Sequence, residues 1–336
     1  MTRLSSLLLV TLVSAMLIGT ADSASFDPPQ WAFGAGEKGK PYPDDGQPKR
    51  LMGSSRAYTF TQIEDSFAPA DWYPNDHPPM PQVPVAIGRR PDVRACSWCH
   101  LPNGLGHPQS SSLAGLSADY MARQLADFKT GARHSSVGNS IMATITRAMT
   151  ADEAQAAVSY YSKLRRRPWL KVVEGAMAPK TEIVEGGLRI QREPEALEPL
   201  GERVVEVPQY RERTRLYDSH AGFVAYVPVG AIKRGKDFVA AGGGTVVNGT
   251  VATTGKAVVC TECHGKDLRG AEHAPDSTLP VPGLTGRSPT YIVRQLYDFH
   301  SGARSGAGAE LMKPIATQMT LRDMIDVAAY LASLAP

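Results

Sequence analysis

The chain has 336 residues, 42% of them hydrophobic, enough for about two packed domains, while its 31 glycines and 26 prolines require long irregular stretches beside them. Its formal net charge is only +3. With no basic stripe along the chain, a nucleic-acid footprint is excluded.

The N-terminus reads "MTRLSSLLLVTLVSAMLIGTADSASF". Its apolar run, Leu7 to Ile18, is shorter than the roughly 20 residues of a membrane span, and the small residues from Ala21 to Ala24 resemble a signal-peptidase site. Residues 1–24 are therefore expected to be a secretory signal, the alternative being an uncleaved anchor. No later stretch approaches a membrane span, so the expectation is an exported, soluble, periplasmic protein with no stable membrane insertion after cleavage. Residues 25–80 form a proline-rich N-terminal extension whose one helical pattern is "TQIEDSF", with a T-x-x-E cap of its own.

All four cysteines then fall in two words of one spacing, "CSWCH" from Cys96 and "CTECH" from Cys260. An oxidising compartment favours disulfides, but a disulfide framework gives no reason for a histidine after each pair. Zinc ribbons place paired C-x-x-C words about 15 to 20 residues apart, whereas here a whole domain separates them. Thioredoxin-like motifs need a βαβ context that neither word has. C-x-x-C-H is the attachment signature of c-type haem: each thiol adds to one vinyl group of the porphyrin, and the imidazole becomes an axial ligand of the iron. Cys96, Cys99, Cys260 and Cys263 are thus the candidate cofactor-binding residues, and His100 and His264 the candidate metal ligands, of two covalently bound haem c groups.

An internal repeat supplies the other axial position. "YMARQLADFKTGAR" from Tyr120 recurs as "YIVRQLYDFHSGAR" from Tyr291, an offset of 171 with nine of fourteen positions identical. Further on, "MATITRAMTADEAQAAVSYYSKL" from Met142 matches "MKPIATQMTLRDMIDVAAYLASL" from Met312 at an offset of 170. Met149 and Met319 stand immediately before helices capped at Thr150 and Thr320 by T-x-x-E/D boxes and running through Tyr160 and Tyr330, and they read as packing residues. Met142 and Met312 are expected in the preceding loops, where a thioether can reach an iron. His/Met ligation raises the potential relative to bis-histidine and leaves no open position.

The order C-x-x-C-H, "PGLTG", "Y-x-x-x-Q-L-x-x-F-x-x-G-x-R", methionine and capped terminal helix resembles class I cytochrome c, and the doubled set resembles the dihaem cytochromes of the c4 type. The resemblance implies a mainly α fold: two class I cytochrome c-like helical domains, 81–167 and 230–336, with long irregular or extended N-terminal and inter-domain segments, the latter 168–229. It also implies that the carbonyl of Pro282 accepts a hydrogen bond from His264. The first unit has "SSLAG" there, with Ser111 at the proline position. "AIKRGKDFVAAG", Ala231 to Gly242, resembles the family's first helix and is separated from Cys260 by the insert "GGTVVNGTVATTG". Its counterpart before Cys96, "PQVPVAIGRRPDVRA", makes a poor helix. Arg133 and Arg304 are candidates to meet a haem propionate.

The function expected is single-electron relay between a redox protein donor and acceptor, from a dehydrogenase or quinol-oxidising complex toward a terminal acceptor. No paired acid or base stands beside the methionines, so no catalytic residue is assigned. The alternatives are a dihaem enzyme, peroxidase or thiosulfate dehydrogenase-like, which needs a vacant or displaceable ligand, and a tightly bound cytochrome subunit of a dehydrogenase. His77, His107, His134, His220, His273 and His300 are assigned structural surroundings only.

Overall fold

A computed structural model describes residues 26–34, 44–184, 188–193, 195–242, 245–247, 250–252 and 259–336. The expected signal lies outside the described residues, as does much of the glycine-rich insert. Among the described residues, no helix is long and apolar enough to cross a membrane.

The fold is mainly helical, and its helices start where the sequence caps them. The Thr150 side chain accepts from Glu153 N while Glu153 returns a bond to Thr150 N, opening helix Ala151–Tyr161; Thr320 and Asp323 do the same for Leu321–Ser333. Each box satisfies donors that a helix start otherwise leaves unpaired. Ser117 caps Ala118–Thr130, which Gly131 ends in the left-handed region at φ 87, and Ser288 with a proline in the first turn opens Pro289–His300.

In the second unit, helix Ala231–Ala241 lies directly against Leu321–Ser333. Phe238 and Val239 from the former and Met324, Ile325, Ala328 and Leu331 from the latter bury into one core with Ile292, Val293 and Leu296. The first unit has no such helix. Residues Gln82–Ala86 form one irregular π-type turn, with Val83 outside helical φ/ψ, because Pro84 cannot donate to a helical ladder. The turn still closes that side of the core: Val85 is fully buried, and its carbonyl accepts from Ser97 Oγ at 2.7 Å.

The described parts of the two long segments pack against both units. Strand Leu170–Glu174 runs parallel to Phe223–Val227, with Leu170 opposite Phe223, and Val205–Pro208 pairs antiparallel on the other side. Phe26 and Phe33 pack edge-on against Tyr297, whose hydroxyl donates to Phe26 O at 2.8 Å. Around Trp72 a third core gathers Phe60, Ile63, Ala70 and Tyr73, tied to the inter-domain segment by Trp72 Nε1 donating to Leu216 O at 2.7 Å. The short helix there is Phe60–Ile63, capped by Thr59 with Gln62 as its partner, two residues earlier than the T-x-x-E pattern suggested. The cap moved because Phe60, needed in the Trp72 core, joins the first turn.

Candidate functional site

Each cysteine word forms one short helix, Cys96–His100 and Cys260–His264. Residues three and four apart share a helix face, so both cysteines and the histidine of each word present together. All four thiols are free. Burial pushes Cys96 up to about 12 and Cys99 and Cys260 up to about 11, which argues against thiolate redox chemistry.

Both histidines are buried. His100 Nδ1 lies 2.8 Å from Ser111 O and His264 Nδ1 2.8 Å from Pro282 O. A backbone carbonyl only accepts, so Nδ1 carries the proton and Nε2 keeps its lone pair. Burial pushes both imidazoles down, with the carbonyls opposing, so they stay neutral and ligating. Serine at the proline position therefore costs the first histidine nothing in hydrogen-bond length.

The histidines line two crevices. The first also receives Cys96, Cys99, Met142 and Met149; the second receives Cys260, Cys263, Met312 and Met319. They enclose about 1750 and 1550 Å³ of non-protein space respectively, part of it open to solvent. Met142 and Met312 do not sit in loops as expected: they lie in helices Ile141–Ala148 and Ala309–Ala316. The sequence hid these because each is only about two turns long and one contains Pro314. Both methionines are half-buried, whereas Met149 and Met319 are buried in the cores at 6% and 4% exposure. Of the remaining histidines, only His134 lines a crevice, and it is exposed.

The crevices meet. Tyr120, Gln124, Arg133, Tyr291 and Gln295 line both. Arg133 donates to Gln124 Oε1 at 2.7 Å and to Gln295 Oε1 at 2.6 Å, and Arg304 donates to the same two oxygens at 2.8 and 3.0 Å. Each guanidinium also lies over the phenylalanine of its own repeat, Phe128 at 4.4 Å and Phe299 at 4.1 Å. Arg133 and Arg304 pair as an antiparallel bridge, so twin residues of the repeat face each other across a pseudo-two-fold axis. The sequence points to the arginines and not to the glutamines and tyrosines, although all of these stand among the nine identical repeat positions.

This junction gathers three cations, on two of which, Arg133 and Arg304, the Asp298 carboxylate acts through space rather than by an ion pair. Arg133, Arg287 and Arg304 are buried, and none has a carboxylate within salt-bridge distance among the described residues. Arg287 Nη2 is buried with no hydrogen-bond partner. Burial raises the Tyr291 phenol, but Arg133, Arg304 and Arg287 outweigh it and draw it down to about 7. Buried charge unpaired in this way is costly, and an anion at the junction relieves it. Apolar crevice walls, paired thiols beside a neutral histidine, and a cationic junction together fit a porphyrin carrying carboxylates.

Fold and crevices thus define a duplicated helical protein of the covalent-haem class. Residues 252–335 match the family model described as Cytochrome c. Over 75 residues the chain is 37% identical to cytochrome c-554(548) of Halomonas halodenitrificans, covering 22% of this chain and 82% of that protein. The chain belongs to the cytochrome c family, and its doubled crevices resemble the dihaem class I cytochromes of the c4 type. Cytochrome c-552 of Acidithiobacillus ferridurans is 45% identical over 75 residues, 22% of this chain, and the chain covers only 28% of that relative's length. The protein described as "Thiosulfate dehydrogenase electron acceptor" of Thiomonas intermedia is 26% identical over 245 residues, covering 72% of this chain and 80% of that one.

Proposed function

We propose that this chain binds two haem c groups and relays single electrons between a redox protein donor and acceptor. Cys96 and Cys99 would hold the first group through thioether bonds to its vinyl carbons, and Cys260 and Cys263 the second. His100 with Met142 would hold the first iron, and His264 with Met312 the second. When bound, haem supplies a one-electron couple whose potential depends on its axial ligands and surroundings. The chain's residues do the rest. Ser111 O and Pro282 O fix the two imidazole rings through Nδ1. Arg133, Arg304, Arg287, Tyr120 and Tyr291 would meet the carboxylates of the two groups at the junction.

The observation that carries this reading is the shared wall: one set of side chains lines both crevices, which suits passage of an electron between two centres better than two independent reactions. The name of the Thiomonas relative supports a dehydrogenase as the donor class. A catalytic site needs an open coordination position, and each crevice offers a methionine instead. The test is stopped-flow mixing of reduced holoprotein with carbon monoxide at neutral pH. Slow, weak binding at both irons is expected because a thioether must be displaced; rapid, saturable binding at one iron would replace the carrier with an enzyme.

A further inference from the structure

One buried guanidinium joins the two loops that orient the histidines of the cysteine words. His100 Nδ1 is held by Ser111 O and His264 Nδ1 by Pro282 O, each at 2.8 Å. The carbonyls one residue further on both accept from Arg287: Nη1 donates to Ser112 O at 2.7 Å and Nε to Gly283 O at 2.6 Å. Ser111 and Pro282 stand 171 residues apart, as do Ser112 and Gly283, so the side chain spans twin positions of the repeat. It has no twin of its own, because Leu116 occupies the matching place in the first unit.

The surroundings leave this group little freedom. Arg287 is 6% exposed, and a buried cation is tolerated only where its donors find partners; here two of its three nitrogens are spent on backbone carbonyls rather than on a carboxylate. Arg166, at the end of the first unit, closes over the same loop of the second: its Nη1 donates to Thr285 Oγ1 at 3.0 Å, and a Cβ added at Gly283 would overlap its Nη2 and the Arg269 carbonyl. Trp169 Nε1 donates to Gly286 O at 3.0 Å. The second loop is thus braced from the first half of the chain, while Ser112 O takes its bond from the second half. Arg287 lines the second crevice and not the first, with Nη2 left unbonded there. A guanidinium is a planar fork of donors in fixed geometry, so two bonds from one such group fix the two loops relative to each other.

We propose that Arg287 is a positioning residue for both axial imidazoles: it holds the Ser111 and Pro282 loops in one hydrogen-bonded frame, so that ring orientation at the first iron depends on a side chain of the second unit. This rests on the two-haem reading. The carbonyl that accepts from Nδ1 sets the orientation of the ring and the basicity of Nε2, and both bear on the couple that a bound haem supplies. Displacing one loop displaces the other, because the fork cannot follow one carbonyl without pulling on its twin. An anion that meets Nη2 in the second crevice acts on the first histidine through the same planar group.

The test reads the hyperfine-shifted proton signals of haem and axial histidine in ferric holoprotein, with the single-haem variant Cys260→Ala/Cys263→Ala assigning the two sets. Arg287→Lys keeps the charge but loses the fork that bonds both carbonyls. It is expected to shift the histidine signals of both haems and to speed the exchange of both Nδ1 protons with deuterium several-fold. Arg287→Leu, which repeats the residue at the twin position, should do the same; if it yields no holoprotein, Arg287→Lys carries the test alone. Gly235→Ala, which overpacks a helix crossing of the second unit and meets neither loop, should leave the first set in place. A first set unmoved by Arg287→Lys overturns the shared frame. So does a first set moved equally by Gly235→Ala, which would make Arg287 one structural contact among many. A haem count of one in the unaltered denatured chain overturns instead the two-haem reading beneath it.

Discussion

Gly235→Ala is predicted to destabilise the second unit although alanine is the better helix former. Gly235 sits where helix Ala231–Ala241 crosses Leu321–Ser333, and an added Cβ would overlap the Asp326 carbonyl oxygen, 2.5 Å from its carbon and 2.9 Å from Tyr330 Cβ. Helix propensity alone favours the substitution by about 1 kcal/mol. Overpacking a core costs about 1 to 3 kcal/mol, and the upper end applies because the obstacle is backbone that cannot rotate away. The net expectation is a loss of about 2 kcal/mol. The helices must part, and Phe238, Val239, Val327 and Leu331, which wall the second crevice, part with them. Guanidinium unfolding of the holoprotein, followed by circular dichroism and haem absorption, measures this against Lys236→Ala, an exposed change on the same helix expected to stay within about 0.5 kcal/mol. A Gly235→Ala protein as stable as the parent would refute the close-crossing argument.

The methionine assignment predicts that ferric protein shows the weak absorption near the red end of the visible spectrum reporting sulfur on iron. Met142→Ala and Met312→Ala should each remove about half of it, and a band that survives Met142→Ala would hand the first iron to another residue. Glu153 supplies a pH dependence. Its hydrogen bond to Arg89, followed by the cap at Thr150, holds its carboxyl below its ordinary value of 4.5 against the opposing effect of burial. A depressed carboxyl stabilises fully above that value, and the contribution is lost as pH falls through the lower, folded value. Glu153→Gln keeps the capping box but not the charge, so unfolding midpoints measured below pH 4.5 should fall less steeply than in the parent.

The sequence spoke clearly wherever chemistry fixes spacing. Both cysteine words became single helical turns, both boxes at Thr150 and Thr320 capped the expected helices, and the Pro282 carbonyl met His264 as the resemblance implied. Spacing alone could not show what tertiary packing decides. The helices carrying Met142 and Met312 are too short to display a period. The junction of Gln124, Gln295, Arg133 and Arg304 joins residues far apart in sequence, and only the repeat's identities hinted at it. The tie between the Trp72 core and the inter-domain segment joins Trp72 to Leu216, 144 residues apart, and no local pattern announces such a pairing.

The shared glutamines make the duplication more than two units on one chain. Because each guanidinium is bonded to both amides, each wall is completed from the other half; taken apart, each arginine would keep its own glutamine and lose the one its twin's half contributes. A substitution at one position is therefore felt at its twin 171 residues away.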